Sequence, residues 1–264
     1  MKSYLIQTLF ISLCTLCVHT LNAQTVSQQS INTMGAYMTS SSSSLSQTVG
    51  ETMTATWTQG DKILTQGFHQ TFKLTLNLKA FLQGYYQGSG IMNDVLYNQG
   101  VSAMPTSLTD SITIECRKPF YPFDMLFQEK KCISNNGLVT ISHQGLIGEK
   151  VYIVLKHRNS LETWSALPII IEQYSFYDFT TAANKAFADN QAEVEPGVYA
   201  LYAGDFNQDG YIDGFDYPMF DNDVQNNVSA VYVTTDLNGD GYVDGFDYPL
   251  FDANSQNNVS VMTP

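Results

Sequence analysis

Between residues 73 and 200, apolar and polar positions change places with a period of two rather than 3.6. "LTLNLKAFL" sets Leu74, Leu76, Leu78, Ala80 and Leu82 against Thr75, Asn77, Lys79 and Phe81. That spacing predicts a strand with one buried and one wet face. "SITIEC", "GLVTIS", "VYIVLKHR" and "ALPIIIEQ" are further β-branched runs, divided by Gly, Pro, Asn and Ser clusters. "DFTTAANKAFADN" is the one plausible helix of this stretch, with Asp178 or Thr180 near its start, and "GVYALYAGD" reads as a last strand. Short strands at this density predict an antiparallel β-sandwich, a mainly β fold. Upstream, "TQGDK" lies between two Thr-rich runs and predicts a hairpin, while the Ser run at 40–44 reads as a linker or loop tip. The polar cluster His157, Arg158, Asn159 and Glu162 reads as a hairpin tip, with Asn159-Ser160 as the turn and Trp164 returning to the core.

The N-terminus departs from that pattern. Lys2, the apolar run "YLIQTLFISLCTLCV" and the small Ala23 have the order of a removable export signal over residues 1–23. The run is short for a bilayer span, so no transmembrane segment is expected once the signal is removed. Of the four cysteines, Cys116 and Cys132 then remain in a compartment that permits disulfides. A bridge between them is the favoured reading, worth about 3 kcal/mol on the chain-entropy argument; two buried thiols is the other.

Charge changes the picture at the C-terminus. The 264-residue chain carries a net −13, but residues 201–264 hold eleven Asp and no Glu, Lys, Arg or His. The preceding 200 residues hold 14 acids and 12 bases. No basic patch exists to neutralise phosphates, so nucleic acid is not an expected partner. No phosphate-binding Gly loop, nucleophile elbow or His-Glu zinc motif occurs.

The acidic tail is a duplication. Residues 205–229 align without a gap to 236–260, identical at 18 of 25 positions. "DFNQDGYIDGFD" (205–216) and "DLNGDGYVDGFD" (236–247) each place Asp, Asn and Asp at positions 1, 3 and 5, Gly at 6, and Asp at 9 and 12. Calcium takes six to eight oxygen ligands, and this spacing can converge them if the chain curls at Gly210 and Gly241. The expected ligands are Asp205, Asn207, Asp209, Asp213 and Asp216, with Asp236, Asn238, Asp240, Asp244 and Asp247. Tyr211 and Tyr242 would each add only a backbone carbonyl. Ile212 and Val243 are expected to pair the two loops across a short β contact. Two calcium ions would lower the tail's charge from −11 to −7. The alternative, a solvated acidic tail, leaves Phe215, Tyr217, Phe220, Phe246, Tyr248 and Phe251 with nowhere to be buried.

These loops resemble those of dockerin type I modules, which carry two such F-hand repeats; the resemblance covers about residues 200–264. Dockerins end the loop with Asp and lack the entering helix, and both features hold here. The resemblance implies a small α-helical module, two calcium sites, and a cohesin-like or surface protein as partner, with the chain's own sandwich as the other candidate. Positions 10 and 11, usually Ser or Thr in dockerins, are Gly214-Phe215 and Gly245-Phe246. Pro218 and Pro249 follow closely, and the tail has no basic residue, so binding to a standard cohesin does not carry over. "VGETMTATWTQGDKILTQGFHQ" and "VYIVLKHRNSLETWSA" resemble stretches of secreted bacterial surface proteins, which implies a secreted location, extracellular or on the cell surface.

Four regions are therefore expected: the signal at 1–23, a hairpin region at 24–72, a sandwich at 73–200 and a calcium-binding repeat pair at 201–264. The function expected is non-catalytic assembly or surface adhesion through the C-terminal module. The alternative is a part in polysaccharide breakdown, as a glycoside hydrolase component or a carbohydrate-binding sandwich. Hydrolysis needs two facing carboxylates, and no spacing among Glu115, Glu162, Glu172 and Asp178 singles out a pair.

Overall fold

The computed structural model describes residues 75–264 together with four strands between residues 35 and 65. In the N-terminal unit, β1 (Gly35–Thr39) pairs antiparallel with β2 (Ser44–Thr48), and β3 (Thr56–Gln59) with β4 (Lys62–Thr65). Gln59 lies opposite Lys62, the hairpin expected at "TQGDK". The signal at 1–23 and Ser40–Ser43 lie outside the described residues.

Residues 72–264 form a second compact unit. Its chain runs β5 (Thr75–Lys79), β6 (Tyr86–Gly88), β7 (Ile91–Met92), a single helical turn α1 (Val95–Asn98), β8 (Leu108–Arg117), β9 (Met125–Ser134) and β10 (Leu138–Ile141). It continues through β11 (Lys150–His157), β12 (Ser160–Trp164), β13 (Ile169–Ile170), β14 (Tyr174–Asp178), β15 (Ala192–Glu195) and β16 (Val198–Ala200) to two helices, α2 (Tyr217–Gln225) and α3 (Tyr248–Gln256). The fold is mainly β. One sheet has the order β10-β5-β14; the larger has β12-β11-β8-β9, with β13 also on β11. Period-two alternation turns Leu76 and Leu78 of the first sheet, and Ile112, Ile114, Ile153 and Leu155 of the second, into one fully buried core.

The structure departs from the sequence reading at several places in the strands and loops. First, β14 runs parallel to β5, Tyr174 opposite Thr75, so the smaller sheet is not wholly antiparallel. The larger sheet forms between these two strands in sequence, and a crossover of that length permits a parallel return. Second, the alternation ends at Lys79: Phe81, expected on the wet face, is buried with its ring 4.9 Å from that of Tyr86. Third, residues 178–190 form two short 3-10 turns, Ala183–Lys185 and Phe187–Asp189, with Ala188 and Asp189 at positive φ. The Asp178 carboxylate takes the N–H and hydroxyl of Thr180, so this Asp folds a local turn in place of a helix start.

Fourth, Cys116 and Cys132 are not bridged. Cys116 pairs with Phe127 across the β8–β9 ladder and points into the core. Cys132 pairs with Ser111, on the opposite face. Burial pushes the Cys116 thiol up to about 12. In the native chain an alkylating reagent is therefore expected to modify Cys132 within minutes and Cys116 only on unfolding. Peptide mapping checks this, and equal protection of the two would contradict the register.

The acidic tail is continuous with the sandwich. Leu161 of β12 is buried with Ala203, Phe206, Ile212, Phe220, Leu237, Val243 and Phe251. Of the six aromatics expected to need cover, Phe220 and Phe251 are buried here, whereas Phe215, Tyr217, Phe246 and Tyr248 remain exposed.

Candidate metal-binding loops and their anchorage

Each acidic loop closes on itself through its last residue. Asp216 Oδ1 accepts the N–H groups of Phe206 and Asn207, and Oδ2 accepts that of Asp213. Asp247 repeats this with Leu237, Asn238 and Asp244. Both residues sit at the starts of helices, yet neither side chain caps its helix; each ties down the start of its own loop instead. Pro218 and Pro249 fit within the first turn, where the missing N–H is no loss. Gly210 and Gly241 take φ of 88° and 95°, the curl expected of position 6.

The ends of each loop are buried and the middle is open. Asp205, Asp216, Asp236 and Asp247 are buried. Asn207, Asp209, Tyr211, Asp240 and Tyr242 are exposed, while Asp213, Asn238 and Asp244 are half-buried. Asn207 and Asp209 hydrogen-bond one another, as do Asn238 and Asp240, and Asp209 and Asp240 accept the N–H groups of Tyr211 and Tyr242. Among the described residues, no group of three or more His, Cys, Asp or Glu side chains is placed to hold a metal ion. The carboxylates are turned onto backbone N–H groups along each loop rather than gathered on one point.

That arrangement leaves charge unbalanced. Burial, then the nearby charge of Asp216, pushes the Asp205 carboxyl up to about 7. Burial raises Asp247 to about 7 as well, against backbone hydrogen bonds that lower it, and it also raises Asp216 and Asp236. Asp205 Oδ1 is buried with no hydrogen-bond partner among the described residues. A buried orphan oxygen inside a cluster of desolvated carboxylates fits a hard cation with oxygen ligands, whose charge the loop itself lacks.

The two loops do not pair with each other. Ile212 N–H donates to Val259 O, and Val243 N–H donates to Val228 O. Each loop therefore pairs with the "NNVS" segment that ends the other repeat. Asn227 and Asn258 both take φ of 50°, the left-handed conformation that ends α2 and α3 and turns the chain into those segments.

The position-4 difference between the repeats has a steric cause. Gln208 and Gly239 both sit at positive φ. A Cβ at Gly239 would come within 2.4 Å of Val95 Cγ2 and 2.9 Å of the Tyr85 ring, because loop 2 (236–247) lies against the 85–98 segment. That swap was the only sequence signal of the contact. Sequence reasoning missed the residues that make it: Asn93 Nδ2 donates to Asn238 O at 3.0 Å, Asn98 Nδ2 to Gly239 O at 2.8 Å, and Gln99 Nε2 to Asp236 Oδ2 at 2.7 Å.

Comparison with known proteins adds little. No family model matches this chain, and no curated protein does. The solved structures similar to it include two interface mutants of a type II cohesin–X-dockerin complex from Acetivibrio cellulolyticus. The C-terminal interface mutant is 14% identical with a TM-score of 0.43, and the N-terminal one 13% identical with a TM-score of 0.42. Each match covers 69% of this chain and 95% of the other. Likenesses at this level leave the site to be argued from its own residues.

The hairpin tip at β11–β12 turns at Arg158-Asn159, one residue before the expected position, and it is more than a surface turn. Trp164 packs with Tyr152 and Val154 in a cluster apart from the main core. Arg158 Nε donates to Asp110 Oδ2 at 3.0 Å, and Nη2 to Tyr85 Oη at 2.7 Å and to Gln99 Oε1 at 2.8 Å. Nη1 donates to Val233 O, and the guanidinium lies 4.1 Å from the Tyr232 ring centre. One side chain thus joins the sandwich to the segment linking the two repeats.

Ser160, His157 and Asp110 form a chain with spacings of 3.1 and 3.2 Å. All three are buried, so no substrate reaches Ser160 and the chain is structural. Of the carboxylates weighed for hydrolysis, Glu115 and Glu162 do come together, but Lys156 Nζ sits between them at 3.3 and 2.8 Å. Glu172 is exposed, and Asp178 is engaged in its local turn.

Proposed function

We propose that the two duplicated loops hold calcium and that the protein serves a secreted, non-catalytic role in assembly or surface attachment through this dockerin-like end. The observation that carries the reading is the unpartnered, buried Oδ1 of Asp205 in a loop of desolvated carboxylates that contains no basic residue. Asp205, Asn207, Asp209, Asp213 and Asp216 would hold one ion with the Tyr211 carbonyl; Asp236, Asn238, Asp240, Asp244 and Asp247 would hold the other with that of Tyr242. The ion would supply the positive charge that lets these carboxylates stay ionised while buried.

An exposed face supports the assembly role. Phe215 and Phe246 are 79% and 80% exposed, at equivalent places in the two repeats. Tyr217 and Tyr248, two residues further along in each repeat, are also exposed, with ring centres 6.1 Å apart. Exposed aromatics in an acidic tail suit a protein partner offering apolar pockets and basic residues. Among the described residues, no helix is long and apolar enough to cross a membrane.

Calorimetric titration of the full chain with calcium tests the reading. Two binding events are expected, and Asp205→Asn should weaken one of them by about tenfold or more while sparing the other. A chain that takes up no calcium ends the proposal.

A further inference from the structure

The two loops are nearly the same in sequence but not in what holds them. Asp236 Oδ1 accepts Gly239 N–H at 2.8 Å, and Oδ2 accepts both Gly241 N–H at 2.8 Å and the Gln99 amide at 2.7 Å. Gln99 is itself buried and fixed by Arg158. Asn93 and Asn98 hold the carbonyls of positions 3 and 4 from the same side. The carboxylate of Asp205, the equivalent residue of loop 1 (205–216), accepts one hydrogen bond, of 3.3 Å from Gly210 N–H, and its Oδ1 is buried without a partner; the Gln208 amide from within the loop donates to the Asp205 carbonyl at 2.6 Å.

We infer that loop 2 is held in its curled form by the side-chain amides of the sandwich and keeps that form without an ion, whereas loop 1 needs the ion to hold its form. Gln99 is the positioning residue that makes the difference. The inference rests on the reading that the loops hold calcium. The physical reason is satisfaction of buried polar groups. In loop 2 the sandwich has already met the needs of the first carboxylate and of two loop carbonyls, so removing the ion leaves few groups stranded. In loop 1 the same removal strands a buried carboxylate oxygen, which opening to water relieves. Loop 1 thus becomes the calcium-responsive half, and loop 2 the anchor that keeps the tail on the sandwich.

Hydrogen exchange of the full chain, with calcium and with a chelator, tests this loop by loop. In chelator the amides of Gly210, Ile212 and Asp213 should exchange at least about tenfold faster, and those of Gly241, Val243 and Asp244 less than about twofold faster. Gln99→Met keeps the size and removes the donor; Asn98→Ala is the milder second variant. In either, loop 2 should become ion-dependent while loop 1 responds as before. A merely stabilising role for Gln99 would instead raise exchange throughout residues 72–264, calcium or no calcium. Equal loss of protection in both loops of the unsubstituted chain overturns the inference. So does a loop 2 that stays protected in chelator in both variants. Failure of the calcium reading looks different: neither heat of binding nor a chelator effect on either loop.

Discussion

Replacing Arg158 with methionine is expected to destabilise the 72–264 unit by about 3–5 kcal/mol, the range for removing one partner of a buried ion pair. The loss would lower the melting temperature by on the order of 10 °C. Asp110 has a fully buried side chain. Burial alone would push its carboxyl up, but a hydrogen bond and charge from His157, then the charge of Arg158 and the Tyr232 hydroxyl, hold it well below the usual carboxylate range. His157 is not itself the counter-charge. Burial lowers its own pKa, so at neutral pH it is an uncharged donor, and Arg158 is the counter-charge that remains. Methionine would leave an ionised carboxylate in the interior and would also free Val233 O, Tyr85 Oη and Gln99. Asp110→Asn in the same chain should restore part of the loss, because the stranded charge goes with it. Denaturant midpoints of the two single variants and the double variant measure this. A loss under about 1 kcal/mol for Arg158→Met would mean that water reaches Asp110 and that the network is not dry.

Without calcium, the protein is expected to be more stable near pH 5 than near pH 8; with saturating calcium that order should vanish or reverse. The folded ion-free chain holds Asp205 and Asp247 at about 7, with Asp216 and Asp236 also raised. A carboxyl raised on folding binds more protons in the native state. Its stabilising contribution is complete below the unfolded value near 4 and is lost as pH rises through the folded value. The window is therefore about pH 4 to 8, and loss of stability with rising pH is the reverse of what salt-bridged carboxylates give. An ion in each loop would favour the ionised forms and cancel the effect. A shift of about 10 °C between pH 5 and 8 in chelator, abolished by millimolar calcium, is the expected calorimetric result. Parallel pH profiles with and without the ion would show that the loop carboxylates do not carry it.

The parts legible in the sequence were those written in local patterns. Alternation placed Leu76 and Leu78 on the buried face, and the duplicated twelve-residue phrase marked both acidic loops, with Gly210 and Gly241 at the curls. What was not legible depended on partners distant in the chain. A period of two says that β14 is a strand but not that it runs parallel to β5. Phe81 looked wet because the alternation was carried two residues past its end. Cys116 and Cys132 are close enough in sequence to suggest a bridge, yet the β8–β9 register points them to opposite faces. Gln99 sits in "NDVLYNQG", a stretch with no motif; its importance comes from Arg158, 59 residues later, and Asp236, 137 residues later.

Each acidic loop completes its backbone pairing on the last segment of the other repeat, Ile212 on Val259 and Val243 on Val228. One repeat by itself would have a donor row with no acceptor and an acceptor row with no donor. Two separate copies would meet that need by exchanging ends about a two-fold axis, as a symmetric dimer does. The tandem gene product has the same exchange built into one polypeptide, where the two halves meet at an effective concentration set by the short connector rather than by abundance in the surroundings.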